Sequence, residues 1–226
     1  MEIQAVSAQS KQDFRHFVRN DLAKKQKSCV SYRHIVFVRY LKYVIQSKQF
    51  KNILLFYPMA FEPNILPLLS CFKKSKNKRI FLPSIEGLNF KMLPYRLPLQ
   101  QNQYKIWEPK PSHFYFQKID LAIIPCLGID LAFRRIGMGK GMYDRTFGMM
   151  THKIRHKMYK IFVNQDIYLA SCVMSQDFDV NANEYISYKF RVKKGFKNDS
   201  TYNSLSSFWV GSRLKRLSCL QKNSKS

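Results

Sequence analysis

DLAIIPCLGIDLAFRRIGMGKGMYDRTF, residues 120–147, is the stretch on which the reading of the fold turns. Its apolar run from Leu121 to Pro125 reads as a buried strand. Behind it, three of the chain's eight glycines, Gly137, Gly139 and Gly141, fall within five residues. Arg134, Arg135 and Lys140 stand around them, and Tyr143, Asp144 and Arg145 follow. Glycine lacks Cβ, so such a loop can take positive φ and bring backbone N–H groups close to an oxyanion. A helix starting just after the loop would add unpaired donors and a positive dipole end. The chemistry implied is phosphate binding. A GxGxG is by itself more often a plain turn, and two common phosphate loops do not fit. The string lacks the GK[ST] ending of a Walker loop. It also lacks the direct strand-to-GxGxxG run of a dinucleotide fold.

Working outward, residues 10–27 read as a helix capped by Ser10 with Asp13. Phe14, Phe17, Val18 and Leu22 supply its apolar face. Lys11, Arg15 and Arg19 lie four apart on another face, a spacing that equally suits a solvated basic stripe. A second helix is predicted over 32–50, with Ile35, Val38, Leu41, Val44 and Ile45 inward. Strands are predicted near 53, 79, 120, 159, 167 and 185, with a short hairpin strand at 88–93 and a helix over 144–158. This alternation predicts an α/β fold. The form expected is one three-layer α/β/α domain over residues 1–190, with a mostly parallel sheet and a ligand crevice at the carboxyl ends of the strands. His152 and His156 have i, i+4 metal spacing but no Glu between them and no evident third ligand, so a solvated helix is the better reading.

Composition sets bounds. With 226 residues, 46% hydrophobic and 15% aromatic, the chain can bury a sizeable core. Cys29, Cys71, Cys126, Cys172 and Cys219 are odd in number, scattered and without a CxxC, as expected of reduced thiols in a cytoplasmic protein. No apolar leader and no long apolar span is evident, so no membrane insertion is expected. The net charge of +25 is the footprint of a nucleic-acid binder, which keeps a basic, non-catalytic nucleic-acid-binding protein as the alternative. No RNP box, zinc-finger spacing or basic-region heptad accompanies it. Residues 191–226 carry nine Lys or Arg, one acid and eight serines. They read as a flexible basic tail open to nonspecific polyanion contacts.

The 120–147 segment resembles the signature of the 5-formyltetrahydrofolate cyclo-ligase (5,10-methenyltetrahydrofolate synthetase) family. In that signature a strand ending in Pro is followed by an Asp and then by Arg-Leu-Gly-x-Gly-x-Gly-Tyr-Tyr-Asp-Arg. Pro125, Asp130, Arg135, Ile136, Gly137, Gly139, Lys140, Gly141, Tyr143, Asp144 and Arg145 stand in register with it. Lys11 and Arg15 match a Lys-x-x-x-Arg of the family's first helix, and Pro83 a strand-ending Pro. Glu62 matches an acid after the strand near 53, where Glu-Val-Asp-Thr is usual. Lys105–Pro109 resembles Gly-Ile-x-Glu-Pro, with Lys105 in place of Gly, and Asp179 resembles the first Asp of a His-Asp-x-x-x-Asp segment, Asn183 replacing the second. Phe133 and Cys126 replace usual glycines, and Met138 and Met142 replace polar or aromatic residues.

The resemblance implies ATP-dependent cyclisation of 5-formyltetrahydrofolate to 5,10-methenyltetrahydrofolate through a phosphorylated formyl intermediate; separately, a monomer is expected. It implies that Lys11, Arg15, Arg135, Gly137, Gly139, Lys140, Gly141 and Arg145 bind ATP. Tyr57, Glu62 and Tyr143 would meet the folate, with Lys140, Tyr143 and Arg145 acting in catalysis. Asp144 and Asp179 would hold Mg2+, although each is also suited to be an ordinary cap or ion-pair partner. Trp107 is better placed in packing than in stacking on a ligand.

Overall fold

A computed structural model describes residues 4–25, 32–112, 118–188 and 191–194. The chain opens with β1 (Gln4–Val6), α1 (Lys11–Lys25), α2 (Tyr32–Ser47), β2 (Asn52–Leu54) and α3 (Leu66–Lys73). The strands β3 (Arg79–Glu86), β4 (Asn89–Pro94), β5 (Leu99–Gln101), β6 (Trp107–Pro109), β7 (Leu121–Pro125), β8 (Gly128–Ile129) and β9 (Arg135–Ile136) follow. After them come α4 (Met142–Gly148), α5 (His152–Lys157), β10 (Tyr159–Val163), β11 (Tyr168–Ala170), β12 (Glu184–Ile186) and β13 (Arg191–Lys193).

The main sheet has seven strands in the order β13-β12-β10-β7-β2-β3-β4. Its five inner strands are parallel and both edges are antiparallel. Every residue of β7 is buried, which explains why its sequence is a continuous apolar run and not an alternating one. Ile53, Leu121, Ile123, Ile161 and Val163 point to one side, where Leu41 and Ile45 of α2 and Leu68 and Leu69 of α3 join them in one core. Ile80 and Leu82 of β3 face the same way. Ile85 therefore faces the other side, and so does its register partner Phe90. There α4 covers them, the Phe90 amide donating to Thr146 Oγ1 at 3.1 Å. Helices on both faces give the three-layer α/β/α form.

A second sheet, β1-β11-β8-β9, lies beside the first and carries α1. Ser10 and Asp13 cap α1 as expected, with the Asp13 amide donating to Ser10 Oγ at 3.2 Å. Phe14, Val18 and Leu22 are buried against Val6, Leu127, Ile136 and Tyr168, whereas Phe17 stays 46% exposed. Likewise Phe37, not Ile35, enters the α2 core. The strand predicted near 167 leaves the main sheet and pairs with β1 and β8, because β1 and the short β8–β9 hairpin offer it edges. The helix predicted over 144–158 is two helices, broken at Thr151, whose ψ of 145° is extended.

The ordered fold also runs three residues past the boundary expected at 190. Arg191–Lys193 pair antiparallel with β12, Val192 is buried, and the Arg191 guanidinium binds Glu184 at 2.8 Å. A count of basic residues cannot reveal that this arginine answers a buried glutamate. Residues 195–226 lie outside the described residues. Among those described, no helix is long and apolar enough to cross a membrane.

Two of the expected glycine positions hold other residues, and the backbone keeps the glycine conformation at both. Lys105 has φ +57° and Phe133 φ +59°. The left-handed region costs a non-glycine residue about 1–2 kcal/mol, and glycine's extra freedom in the unfolded chain offsets about 0.5–1 of any relief. Lys105 is exposed, so its side chain contributes little packing. Lys105→Gly is therefore expected to stabilise the fold by about 0.5–1 kcal/mol, read as a higher urea midpoint at unchanged slope. A lower midpoint would show that the lysine side chain compensates for its strained backbone.

Candidate functional site

The site is built where the carboxyl end of β7 meets the glycine segment. Arg135, only 7% exposed, donates from Nε to the carbonyl of Pro125 at 3.0 Å. Its NH1 lies 3.4 Å from Asp144 Oδ2, and its guanidinium stands 4.9 Å over the Tyr143 ring. Gly137 packs directly on it: a Cβ there would fall 2.3 Å from Arg135 NH1. Any side chain there would have to displace the guanidinium that Pro125 holds. Gly139 has φ +106°, a conformation that side chains rarely allow.

The first helix closes the other wall. Arg15 Nε donates to the Gly137 carbonyl at 2.8 Å, and Arg19 donates to the Met138 carbonyl at 2.8 Å. Lys11 Nζ reaches Asp179 Oδ2 at 2.5 Å. The segment carrying Asp179 is fixed by Asp130, which is 2% exposed. One Asp130 oxygen accepts the amides of Ala132 and Arg134, the other those of Met174 and Ser175, all between 2.8 and 3.1 Å. Asp144 Oδ1 accepts the Val180 amide at 3.0 Å. Asp130, placed in the signature by sequence, thus acts as the pin that joins two loops.

These contacts enclose a cleft of about 180 Å³ lined by Lys11, Arg15, Arg135, Gly137, Gly139, Gly141, Asp144, Arg145, Phe178 and Asp179. Three sequence-distant segments converge there. Burial lowers the Arg15 pKa, and neighbouring Arg19 and Arg135 lower it further. Cations that repel one another inside a cleft favour an anionic ligand.

Not every expected residue faces the cleft. Lys140 Nζ lies 3.2 Å over the Tyr104 ring, outside the lining. Arg145 lines the cleft, but its guanidinium donates to the carbonyls of Leu88 and Lys140. Tyr143 packs edge-on between Phe90 and Phe147, with ring centroids 4.9 and 5.9 Å away. Tyr57 leans on Trp107 at 6.3 Å and on the α2–α3 core, whereas Trp107 itself stays 40% exposed and outside that core. His152 and His156 stack at 4.0 Å on α5, and among the described residues no group of three metal-ligating side chains occurs. Two further residues join the site outside the family pattern: Phe178, exposed at the cleft mouth, and Arg19, on the loop carbonyl. Arg19 shares the four-residue spacing of Lys11 and Arg15; Phe178 carried no signal beyond its neighbour Asp179.

Glu62 stands beside this cluster. Its Oε2 accepts the Met59 amide at 2.9 Å. Although part of its surface is open, the surrounding protein strips it of water, and this burial pushes its carboxyl up to about 7 against the opposing pull of the Met59 amide and Arg135. Tyr143 is also raised, by burial first and then by the Glu62 charge, and burial pushes the Cys126 thiol up to about 12. The native protein therefore holds the Glu62 proton more tightly than the unfolded chain does. Between the ordinary carboxylate range and about pH 7, folding stability should fall as pH rises. Glu62→Gln should flatten that fall by an amount on the order of 1–2 kcal/mol, allowing for partial solvent screening. Urea unfolding across the window reads this directly; an unchanged pH slope in the variant would place the Glu62 titration in the ordinary range.

The profile of the 5-formyltetrahydrofolate cyclo-ligase family matches residues 7–187. A curated 5-formyltetrahydrofolate cyclo-ligase of Haemophilus influenzae is 32% identical over 112 residues, covering 46% of this chain. The chain spans 59% of that relative's length in this match. The NMR structure of an Aquifex aeolicus 5,10-methenyltetrahydrofolate synthetase superposes with a TM-score of 0.65, covering 85% of this chain and 97% of that one at 20% identity. A 5,10-methenyltetrahydrofolate synthetase from Mycoplasma pneumoniae gives 0.55, covering 78% and 97%, also at 20% identity. At that identity the structural likeness is one of fold. With the profile matched over most of its length, the chain belongs to the 5-formyltetrahydrofolate cyclo-ligase family.

Proposed function

We propose that the protein catalyses the ATP-dependent cyclisation of 5-formyltetrahydrofolate to 5,10-methenyltetrahydrofolate, giving ADP and phosphate. The observation that carries this reading is the cleft in which Lys11, Arg15, Arg135 and Arg145 face a glycine loop, with Gly137 packed directly on the Arg135 guanidinium. Family membership supports the choice of substrate. No feature of the cleft favours the non-catalytic nucleic-acid alternative.

An N-formyl group is amide-like and a poor electrophile for the internal N10 amine. Transfer of the γ-phosphoryl group to the formyl oxygen releases ADP and leaves a carbon that carries phosphate through that oxygen, a good leaving group. N10 then attacks that carbon, loses its proton and expels phosphate, with ring closure helped by proximity. Such a transfer needs positioning and charge neutralisation more than covalent help. Lys11, Arg15, Arg135, Arg145 and the amides near Gly137, Gly139 and Gly141 would hold the phosphates. Lys140 would join them by swinging its flexible stem away from Tyr104. Tyr143 would border the reacting formyl group, with Glu62 and Tyr57 meeting the folate. Asp144 and Asp179 both line the cleft, and hard carboxylate oxygens suit Mg2+, which usually takes one or two of them together with phosphates. Bound there, Mg2+ would offset charge on the transferred group. A monomer in the cytoplasm is the accompanying expectation.

Formation of methenyltetrahydrofolate from 5-formyltetrahydrofolate and Mg-ATP is read by its near-ultraviolet absorbance. No ATP-dependent product from folded protein at high concentration would sink the proposal. Lys11→Ala and Arg15→Ala should each weaken ATP binding by about ten- to a hundredfold, the worth of one charge-assisted contact. Unchanged nucleotide affinity in both would place the phosphates elsewhere.

A further inference from the structure

The parallel sheet has a second end. The cleft stands at the carboxyl ends, where Arg135 binds the Pro125 carbonyl. The amino ends lie about 15 Å away, the length of the five-residue β7. There the register sets Asn52 beside Arg79, Leu121 beside Tyr159, and Glu184 beside Lys193. Taken in spatial order from β13 to β2, these strand ends carry Lys193 and Lys194, then Arg155 of α5, whose carbonyl accepts Lys160 Nζ of β10 at 3.0 Å, then Lys118 just before β7, and Lys51 just before β2. Five neighbouring strands span about 19 Å at roughly 4.8 Å per gap. The cations thus form a row.

Apart from the buried Glu184, one carboxylate, that of Asp120, stands among these strand ends, and five cations outnumber it. None of these five side chains forms an ion pair with a carboxylate among the described residues. The acids at this end are used internally. Asp120 Oδ2 accepts the amides of Lys51 and Asn52 at 3.0 and 2.8 Å. Glu184, 1% exposed, is taken by Arg191, Tyr159 and Tyr40. The cations act on one another instead. Lys160 is pushed down to about 8 by burial and then by Arg155 and Lys194. An aromatic ring stands at the same end: Tyr43, 63% exposed, follows Tyr40 by one helical turn.

We propose that this row of strand ends binds a single-stranded nucleic acid, its phosphodiester backbone laid along Lys193, Lys194, Arg155, Lys118 and Lys51, with a base stacked on Tyr43. A linear row of cations about 19 Å long fits a linear polyanion better than it fits a lipid surface. Lysine rows beside an exposed aromatic are how sequence-tolerant single-strand binders work. This face lies across the sheet from the ATP cleft, and the inference does not rest on the cyclo-ligase reading.

The test uses the full chain and fluorescence anisotropy with labelled RNA and DNA oligonucleotides of about ten nucleotides over a range of salt. The Lys51→Gln/Lys118→Gln/Lys193→Gln/Lys194→Gln variant should lose at least about tenfold in affinity, and its log–log salt slope should flatten by about two to three, near 0.7 per lost contact. Tyr43→Ala should weaken binding about fivefold or more with the slope kept. Unchanged circular dichroism and ATP affinity would show that the variants are folded. Rim-dependent binding of either oligonucleotide supports the proposal, and the ratio of the two identifies the favoured sugar. Wild-type binding by the rim variant overturns it. So does loss of binding only from Arg213→Gln/Lys215→Gln/Arg216→Gln/Lys222→Gln, which would place the contact in the C-terminal segment. Rim-dependent capture on anionic vesicles without oligonucleotide binding overturns it as well.

Discussion

The buried guanidinium of Arg135 is the constraint on which the rest of the site depends. A charge nearly out of water is costly unless its donors are met and its charge is answered. Here the Pro125 carbonyl fixes Nε at the end of the central strand, and Asp144 answers the charge from α4. The ring of Tyr143 closes one side, and Gly137 the other, with no room for Cβ. The same charge pulls against the raised titrations of Glu62, Cys126 and Tyr143. Strand, glycine loop, helix and Glu62 loop are therefore coupled through one side chain. This coupling explains physically why the arginine, the glycines and the Tyr-Asp-Arg string occur in a fixed register.

How much was legible in the sequence follows from which interactions are local. The register from Arg135 to Arg145 could be read because its parts pack on one another within ten residues. The apolar continuity of Leu121–Pro125 announced a central parallel strand because both of its faces are covered. The second sheet could not be read in the same way. Its strands are two or three residues long and take their partners from opposite ends of the chain. An apolar run near 167 therefore says strand without saying which sheet. The reach of Lys140 was also hidden, since nothing in its neighbours in sequence announces Tyr104 as the aromatic face it covers. Asp179 was legible only by likeness, because its partner Lys11 lies 168 residues away.

Departures from the family's glycine pattern separate backbone from side chain. Lys105 and Phe133 both hold left-handed φ, so the loops there keep the path a glycine would take and carry the strain. Asp130 helps explain how the second is tolerated. Its buried carboxylate accepts the amides on both sides of Phe133, from Ala132 and Arg134, and its backbone carbonyl accepts the Phe133 amide at 2.9 Å. Three hydrogen bonds to one aspartate, each of a kind worth about 1 kcal/mol or more, outweigh a left-handed penalty of about 1–2 kcal/mol. Cys126 differs in kind, since it is buried and has no positive φ.

The resting cleft pairs two of its own cations. Lys11 is held by Asp179, and Arg135 by Asp144, so each of these two already has a carboxylate, whereas Arg15 and Arg145 donate to backbone carbonyls. A polyphosphate entering alone would gain the cations but would face the two carboxylates at close range. A divalent cation arriving with it would turn those carboxylates from repelling groups into ligands and free the lysine and arginine for phosphate oxygens. The two exchanges help each other because they use opposite members of the same pairs. On this reading, the acid–base pairing in the cleft favours a metal–nucleotide complex over a bare anion, and it does so without any dedicated metal cage among the described residues.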